Sequence, residues 1–459
     1  MLDRSLGDTI IAVSTPPGYG GVGILRLSGK KSLRISKKIF RPANPGIKIM
    51  PRLATFGNLI DPESGEPLDE GYLIFFPGPH SYTRENIVEI SLHGSPAVLE
   101  EGLRQGVKAG ARPARPGEFT LRAFLQGRID MIQAAAVNDL IRSSSLRAAK
   151  AAFSQVAGKL SRRISLLRKQ AVELLADLES SIEFPDDKIG VSPQKISLSL
   201  ERMALNLNSL ISSYDAGQAL LNGVTLAIAG RTNVGKSTLF NAILEDERAI
   251  VTPFPGTTRD FLRERIKIDD LDFILVDMAG LGKASSPVEE EGIKRGNRLA
   301  AAADGLLLLL DAARKEDTED FRLIEKFKDK KVLVLFNKID LPRKMDLAKM
   351  RRRYPGLASI EISALKGTNL NRLKEKIHEI FAPAVNERED IIFHIWQKLS
   401  LEEALRHVRK TQKLLDAGHS EEIGAEEIRK IMPVIGGLTG EIKPDDVIED
   451  IFNRFCVGK

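Results

Sequence analysis

The sequence is poorest in the residues that build covalent staples and metal cages. A single cysteine, Cys456, in 459 residues excludes both a disulfide framework and a thiolate metal cage. The six histidines are scattered, with no two at ligand spacing. Aromatic residues make up 5% of the chain, so its cores must be largely aliphatic. Long apolar runs are missing as well. The opening residues, MLDRSLGDTIIAVSTPP, hold too short an apolar stretch for a signal peptide. The most apolar segment, Leu299 to Ala313, contains Asp304 and Asp311, which excludes a bilayer span. The expectation is therefore a cytoplasmic protein with no membrane association. Nor does one charge dominate. Sixty-eight lysines and arginines against 62 aspartates and glutamates leave an excess of +6. Spread over a large surface, that excess allows nucleic-acid binding without arguing for it. What is present, 42% hydrophobic and 28% charged residues, suits a soluble chain of roughly three domains.

The hydrophobic period changes along the chain. The first 120 residues or so read as strand and turn, with strand candidates at Val22 to Leu27, Gly71 to Phe76 and Ile87 to Leu92. The loop Pro16 to Gly21 is glycine-rich, but a strand follows it rather than a helix N-terminus, which argues against a phosphate cradle. After Gly127 the pattern is helical. Leu160, Ile164, Leu167, Ala171, Leu174, Leu178 and Ile182 make one stripe, and Ile196, Leu200, Met203, Leu207, Leu210 and Tyr214 a second. Two such helices cannot bury both stripes without further partners. From Val224 continuous apolar runs appear, at Val224 to Ala229, Phe273 to Val276, Leu306 to Leu310 and Val332 to Phe336. Such runs suit the strands of a mostly parallel sheet covered on both faces. Helical sequence returns from about Ile391, so the α/β unit reads as an insertion into a helical domain.

The chemistry lies in that unit. Gly230-Arg231-Thr232-Asn233-Val234-Gly235-Lys236-Ser237 fits the G-x-x-x-x-G-K-[ST] phosphate loop and sits between a buried strand and a helical stretch. Backbone N–H groups of Asn233 to Thr238 are expected to close on phosphate oxygens, with Lys236 supplying charge and the Ser237 hydroxyl coordinating magnesium. Asp277-Met278-Ala279-Gly280 ends the next strand, where an aspartate can hold the magnesium shell. Between the two motifs, Thr252-Pro253-Phe254-Pro255-Gly256-Thr257-Thr258 fits a switch loop, with a threonine hydroxyl able to reach the metal. Asn337-Lys338-Ile339-Asp340 follows another strand; its Asp340 carboxylate can accept from both N1–H and the exocyclic amine of guanine, a donor pair that adenine lacks. Ser363, Ala364 and Leu365 complete the base pocket with backbone contacts. These elements, in this order, point to GTP. The position after Asp277-x-x-Gly, where Ras-like proteins carry a water-orienting glutamine, is Leu281; Glu289 to Glu291 are the nearest acidic candidates for that role.

Taken together, the segments DTIIAVSTPPGYGGVGILRLSG, RPGEFTLRAFLQGRID, GRTNVGKSTLFNAI, GTTRD and the terminal FCVGK resemble the MnmE (TrmE) family of tRNA-uridine modification GTPases over essentially the whole chain. The resemblance implies an α+β folate-binding and dimerisation domain at 1–122, a helical domain at 123–221 and 383–459, and an inserted G domain at 222–382. It implies a homodimer that works with the flavoprotein MnmG (GidA), in a heterotetramer or larger complex, to add an aminomethyl-type group to C5 of the wobble uridine of certain tRNAs. The one-carbon unit would come from a tetrahydrofolate derivative, in the 5-formyl or methylene form. Folate contacts carry over to Arg26, Glu89, Arg128 and Lys459; Arg128 stands where lysine is usual in the family. Potassium ligands carry over to Asn233, Thr252, Phe254 and Thr257, the magnesium-binding threonine to Thr258, and the water-orienting acid to Glu289. Met278 replaces a usual threonine, and Pro253-Phe254-Pro255 departs from the common loop. Cys456 is open to two readings, a small buried residue closing the last helix or a participant in uridine modification. A ribosome-assembly GTPase, an RNA-binding switch without modification chemistry, is the competing class, but the chain shows no KH-type G-x-x-G loop. A free-standing folate enzyme would leave the G domain without a purpose.

Overall fold

The computed structural model describes residues 7–183, 192–248, 263–277, 300–383, 390–440, 451–452, 455 and 458. They divide into two compact units. One holds Met1–Ile141, Ala152–Ser209 and Trp396–Lys459; the other holds Arg142–Ala151 and Leu210–Ile395.

The first unit opens with a seven-stranded sheet of β1 (Ile10–Val13), β2 (Gly20–Ser28), β3 (Phe40–Pro42), β4 (Thr55–Ile60), β5 (Pro67–Phe76), β6 (Ile87–Gly94) and β7 (Arg112–Pro113). Its order is β3-β4-β5-β6-β2-β1-β7, antiparallel except for the short β1–β7 pair. The three strand candidates of the sequence fall within β2, β5 and β6, and the glycine run near residue 20 does lead straight into β2. Alternation sets the faces. Leu25 and Leu27 of β2 and Val88 and Ile90 of β6 turn into a core closed by Ile35, Ile39 and Leu99 from the helices Ser32–Ile39 and Pro96–Lys108. Between the buried leucines, Arg26 takes the other face.

The helical part shows why one half of the chain cannot stand alone. In helix Lys159–Glu183 the residues Leu160, Ile164, Leu167, Ala171, Leu174 and Leu178 are buried, and this helix packs against Glu421–Thr439, which buries Ile428, Ile431, Ile435 and Leu438. Ile182, expected on the stripe, is only half-buried because the helix ends one residue later. Tyr214 is half-buried because Ser213 interrupts the helical run ahead of it. The chain end returns to the start. Phe452 and Phe455 pack with Phe124 and Met131, and the only tryptophan, Trp396, packs against the same cluster.

The segment RPGEFTLRAF carries a buried ionic network. Arg122, 1% exposed, donates through Nη1 to Glu85 Oε2 at 3.0 Å and through Nη2 to Asp8 Oδ1 at 2.5 Å and Glu118 Oε1 at 3.0 Å. Arg112 adds bonds to Asp8 Oδ2 at 2.6 Å and Glu118 Oε1 at 2.5 Å. Burial alone would raise the carboxyls of Glu118 and Asp8, but the two guanidiniums hold both below their usual values.

The second unit contains β8 (Val224–Gly230), β9 (Arg263–Ile268), β10 (Leu271–Asp277), β11 (Gly305–Asp311), β12 (Val332–Asn337) and β13 (Ala358–Glu361), in the order β13-β12-β11-β8-β10-β9. Only β9 runs antiparallel. The continuous apolar runs are explained by two cores. Leu226, Ile228, Leu307, Leu309, Leu333 and Leu335 face one, while Ala227, Ala229, Leu306, Leu308, Leu310, Val334 and Phe336 face the other.

Replacing Arg122 with Met should leave Asp8, Glu85 and Glu118 facing one another with only Arg112 nearby, and cost about 3–5 kcal/mol. Trp396 fluorescence during urea unfolding reads this unit directly. The sign with pH follows from the depressed carboxylates: their contribution is present above the ordinary values of 3.8 and 4.5 and is lost as pH falls through the lower folded values. Wild-type stability should therefore drop in that acid range, and the variant's should drop less.

Candidate functional site

In an open parallel sheet the carboxyl ends of the strands are where ligands bind. Four of them carry the expected nucleotide residues or their partners. β8 ends at Gly230, β10 at Asp277, β11 at Asp311 and β12 at Asn337. After Gly230 the chain makes the phosphate loop and enters helix Lys236–Arg248. Two glycines there are obligatory. Gly230 has φ +151° and a Cβ would lie 2.6 Å from Leu309 O; Gly235 has φ +101° and a Cβ would lie 2.4 Å from Asn337 Nδ2. Asn233, also at positive φ, is exposed and makes no side-chain hydrogen bond to a described residue.

Lys236 is buried, and its Nζ donates to Gly230 O at 3.1 Å and Arg231 O at 2.8 Å. Burial lowers its pKa, against the opposing pull of Asp277. The Ser237 hydroxyl donates to Asp277 Oδ2 at 3.1 Å, while the buried Asp277 Oδ1 finds no hydrogen-bond partner among the described residues. A hydroxyl beside a carboxylate with an unused buried oxygen is a donor set suited to a hard divalent cation such as magnesium.

The base end is tied to the phosphate end through side chains. Asn337, 2% exposed, donates from Nδ2 to Val234 O at 2.8 Å and accepts from Ala364 N at 2.9 Å. Lys338, at φ +67°, donates to Asn233 O and to Asp311 Oδ2, both at 2.7 Å. Ser363 Oγ donates to Asp340 Oδ1 at 2.6 Å and accepts from Lys366 N at 3.1 Å. The Ser363 bond holds the exposed Asp340 carboxyl below its usual value, so it stays an acceptor at neutral pH. Leu365 is 73% exposed, leaving its backbone accessible beside that carboxylate. Thr238 is exposed on the first turn of the helix.

A second cluster forms in the first unit. Arg26 on β2 stands in register opposite Glu89 on β6, with Nε 2.8 Å from Oε1. Arg26 Nη1 also donates to Gly458 O at 3.1 Å, as does Ser14 Oγ at 3.1 Å. Gly458 has φ +103° and a Cβ would lie 2.2 Å from Val13 O, so no other residue fits there. The Arg26 guanidinium lies 5.7 Å from the Phe119 ring centroid, and that of Arg128 lies 4.9 Å over Tyr82. Arg128 Nη1 also donates to Ser81 O at 3.1 Å. Tyr82 and Phe119 share one small core, and burial raises the Tyr82 hydroxyl.

The structure thus brings Arg26, Glu89 and Arg128 around two aromatic rings, with the penultimate residue beside them. Thr252, Pro253, Phe254, Pro255, Gly256, Thr257, Thr258, Met278, Ala279, Gly280, Glu289, Cys456 and Lys459 lie outside the described residues. Sequence reasoning missed Asp311, which was readable as a carboxylate ending a strand beside the phosphate loop. It also missed Arg231, whose side chain pairs with Asp317 Oδ2 at 2.7 Å and Glu319 Oε2 at 3.2 Å, and the rings of Tyr82 and Phe119. Among the described residues no three His, Cys, Asp or Glu side chains form a metal cluster, and no helix is long and apolar enough to cross a membrane.

Comparison with known proteins agrees with this geometry. The family model for the MnmE helical domain matches residues 131–456, and that for the N-terminus of the GTP-binding protein TrmE matches residues 9–128. A tRNA modification GTPase MnmE of Aquifex aeolicus is 39% identical over 98% of this chain and 100% of its own length. The protein of that name from Syntrophus aciditrophicus is 37% identical over 99% and 100%. Among solved structures, the GTPase Era of Aquifex aeolicus bound to GDP·AlF4− is 26% identical over 40% of this chain and 66% of its own, with a TM-score of 0.30. The G domain of the T. maritima FeoB iron transporter is 29% identical over 34% and 98%, with a TM-score of 0.27. The full-length relatives decide the matter: the chain belongs to the MnmE (TrmE) family of tRNA modification GTPases, as a GTP-hydrolysing enzyme built from a TrmE-type N-terminal domain, a helical domain and a G domain with a mostly parallel sheet.

Proposed function

We propose that GTP hydrolysis by this chain drives the addition of an aminomethyl-type group to C5 of the wobble uridine of certain tRNAs, in a complex with the flavoprotein MnmG. The one-carbon unit comes from a tetrahydrofolate derivative held by Arg26, Glu89, Arg128 and Lys459. One observation carries this reading. Arg26 reaches both Glu89 across the sheet and the carbonyl of Gly458, so the chain terminus belongs beside the Tyr82 and Phe119 rings. Paired guanidiniums suit the glutamyl carboxylates of a folate, a carboxylate suits the donors of its pterin, and aromatic faces suit a flat heterocycle.

In the G domain each described residue has a matching task. The backbone of Asn233 to Thr238 wraps the phosphates at the start of a helix, where N–H groups are unpaired. Lys236 turns from the carbonyls of Gly230 and Arg231 to the β/γ-phosphates. Asp340, kept ionised by Ser363, accepts from guanine. Ser237 with Thr258 would hold magnesium, Asp277 orders its shell, and the ion supplies charge to the phosphate oxygens. Asn233 is oriented by the bond from Lys338 to its carbonyl, and with Thr252, Phe254 and Thr257 it would hold potassium beside the β/γ bridge. Glu289 orients the attacking water. The ordered switch loops then let two G domains of a homodimer meet.

Two measurements test this. Replacing Arg128 with Gln, or deleting Lys459, should each weaken binding of 5-formyltetrahydrofolate by about tenfold or more, as removal of a charge-assisted bond implies, with GTP hydrolysis by the full chain unaltered. Unchanged folate affinity in both variants, by calorimetry, removes the site. The hydrolysis rate should be high in potassium and low in sodium at matched ionic strength, and Asn233→Ala should abolish that difference while keeping nucleotide affinity. Equal rates of the wild-type chain in the two salts rule out the potassium mechanism.

A further inference from the structure

The positive excess of this chain is not spread over its surface. Residues 322–353 alone hold twelve lysines and arginines against four aspartates and glutamates, an excess of eight, whereas the whole chain has an excess of six. The stretch builds one side of the second unit. Its two helices, Thr318–Lys326 and Leu347–Arg353, both lie on the core face that buries Leu323, Ile324, Phe327, Leu347 and Met350. They are neighbours, because the Arg353 guanidinium of one helix lies 4.3 Å from the Phe321 ring of the other.

The acids nearby are already engaged. Glu316 takes Lys349, and Glu361 takes both Arg343 and Arg351. Asp317 and Glu319 take Arg231, and Glu325 lies 3.8 Å from Lys328. Lys330 is used internally, donating to the carbonyls of Ala300 and Ala303. What remains is Arg322, Lys331, Lys344, Arg352 and Arg353, all exposed and none with an acidic partner among the described residues. Packing explains why the charges point outward, since the apolar side of each helix is taken by the core. No packing requirement explains why five cations are left without acidic partners on one side of the domain.

We propose that this face of the G domain binds the phosphate backbone of an RNA, and, given the tRNA modification reading on which this rests, that the RNA is tRNA. The surface offers guanidiniums and ammoniums but almost no exposed apolar side chain, Leu341 being the one large one within the stretch. Such a surface can neutralise phosphates and cannot stack on or wedge between bases, so its contribution is independent of base sequence. An exposed arginine pair on one helix turn suits bidentate binding of phosphate oxygens. The charge also sits away from the strand ends that hold the nucleotide residues, except for Lys338, which is already bonded to Asn233 and Asp311.

The test is a salt titration of tRNA binding by the full chain. The triple variant K331Q/K344Q/R352Q leaves the Arg353–Phe321 pair in place, and its GTP hydrolysis without RNA should equal that of the wild type, which also reports that it folds. At about 0.1 M salt its affinity for a tRNA transcript should fall by roughly tenfold to a hundredfold, and the slope of log K against log salt should be shallower by about 0.7–0.9 for each phosphate that is no longer neutralised. A transcript of unrelated sequence should be weakened by the same factor. R322Q alone should produce a smaller change of the same sign. If the triple variant binds tRNA with unchanged affinity and slope, the proposal fails while the modification reading stands. If it instead loses the flavoprotein partner with tRNA binding intact, the face docks an acidic protein and the RNA proposal is wrong. A wild-type chain that binds no tRNA at all overturns both.

Discussion

The nucleotide site depends on the buried carboxamide of Asn337. Its nitrogen holds the Val234 carbonyl of the phosphate loop and its oxygen holds the Ala364 N–H of the base loop. A single side chain at the end of β12 thereby fixes the distance between the two ends of the nucleotide. The constraint propagates into sequence. Gly235 must be glycine because a Cβ would strike the Asn337 amide nitrogen, and Lys338 repeats the tie one residue later by joining Asn233 to Asp311. Two adjacent residues after a strand thus hold a loop about a hundred positions earlier. Buried polar groups with every partner supplied rigidify a site, and one left without a partner destabilises it.

The other unit is closed by charge in a comparable way. Arg122 and Arg112 gather carboxylates from the first strand region, the β6 edge and their own helix, and Arg26 receives the carbonyl of Gly458. The family segment RPGEFTLRAFLQGRID therefore does two jobs. Its Glu118 and Arg122 hold the N-terminal domain together, while Phe119 and Arg128 stand at the candidate folate cluster. Terminal Gly458 is accommodated only because it lacks a side chain.

The parts legible in the sequence were those written in local spacing. The phosphate loop, the four apolar strands and the long helical stripe follow from period and motif, and they stand where those patterns put them. Pairings between remote positions were not legible. Nothing in the neighbourhood of Arg122 announces Asp8, and nothing near Arg231 announces Asp317, because those pairings depend on how the sheets and helices return on one another. The resemblance to a family named Arg26, Glu89 and Arg128, but not the Tyr82 and Phe119 rings on which the guanidiniums lie. Total charge misled in a different way: a sum over the chain hides a cluster on one domain that exceeds the sum itself.

The central claim is that Asn337 shapes both ends of the nucleotide site at once. Calorimetry on Asn337→Ala, with a non-hydrolysable GTP analogue and separately with inorganic tripolyphosphate, tests it most directly. The account predicts that both ligands lose affinity, by about 1–3 kcal/mol each, because the Val234 carbonyl and Ala364 N–H are both left without their partner. Tripolyphosphate binding that is unchanged while the guanine nucleotide is weakened would contradict it, since the phosphate loop would then be holding its shape without the asparagine.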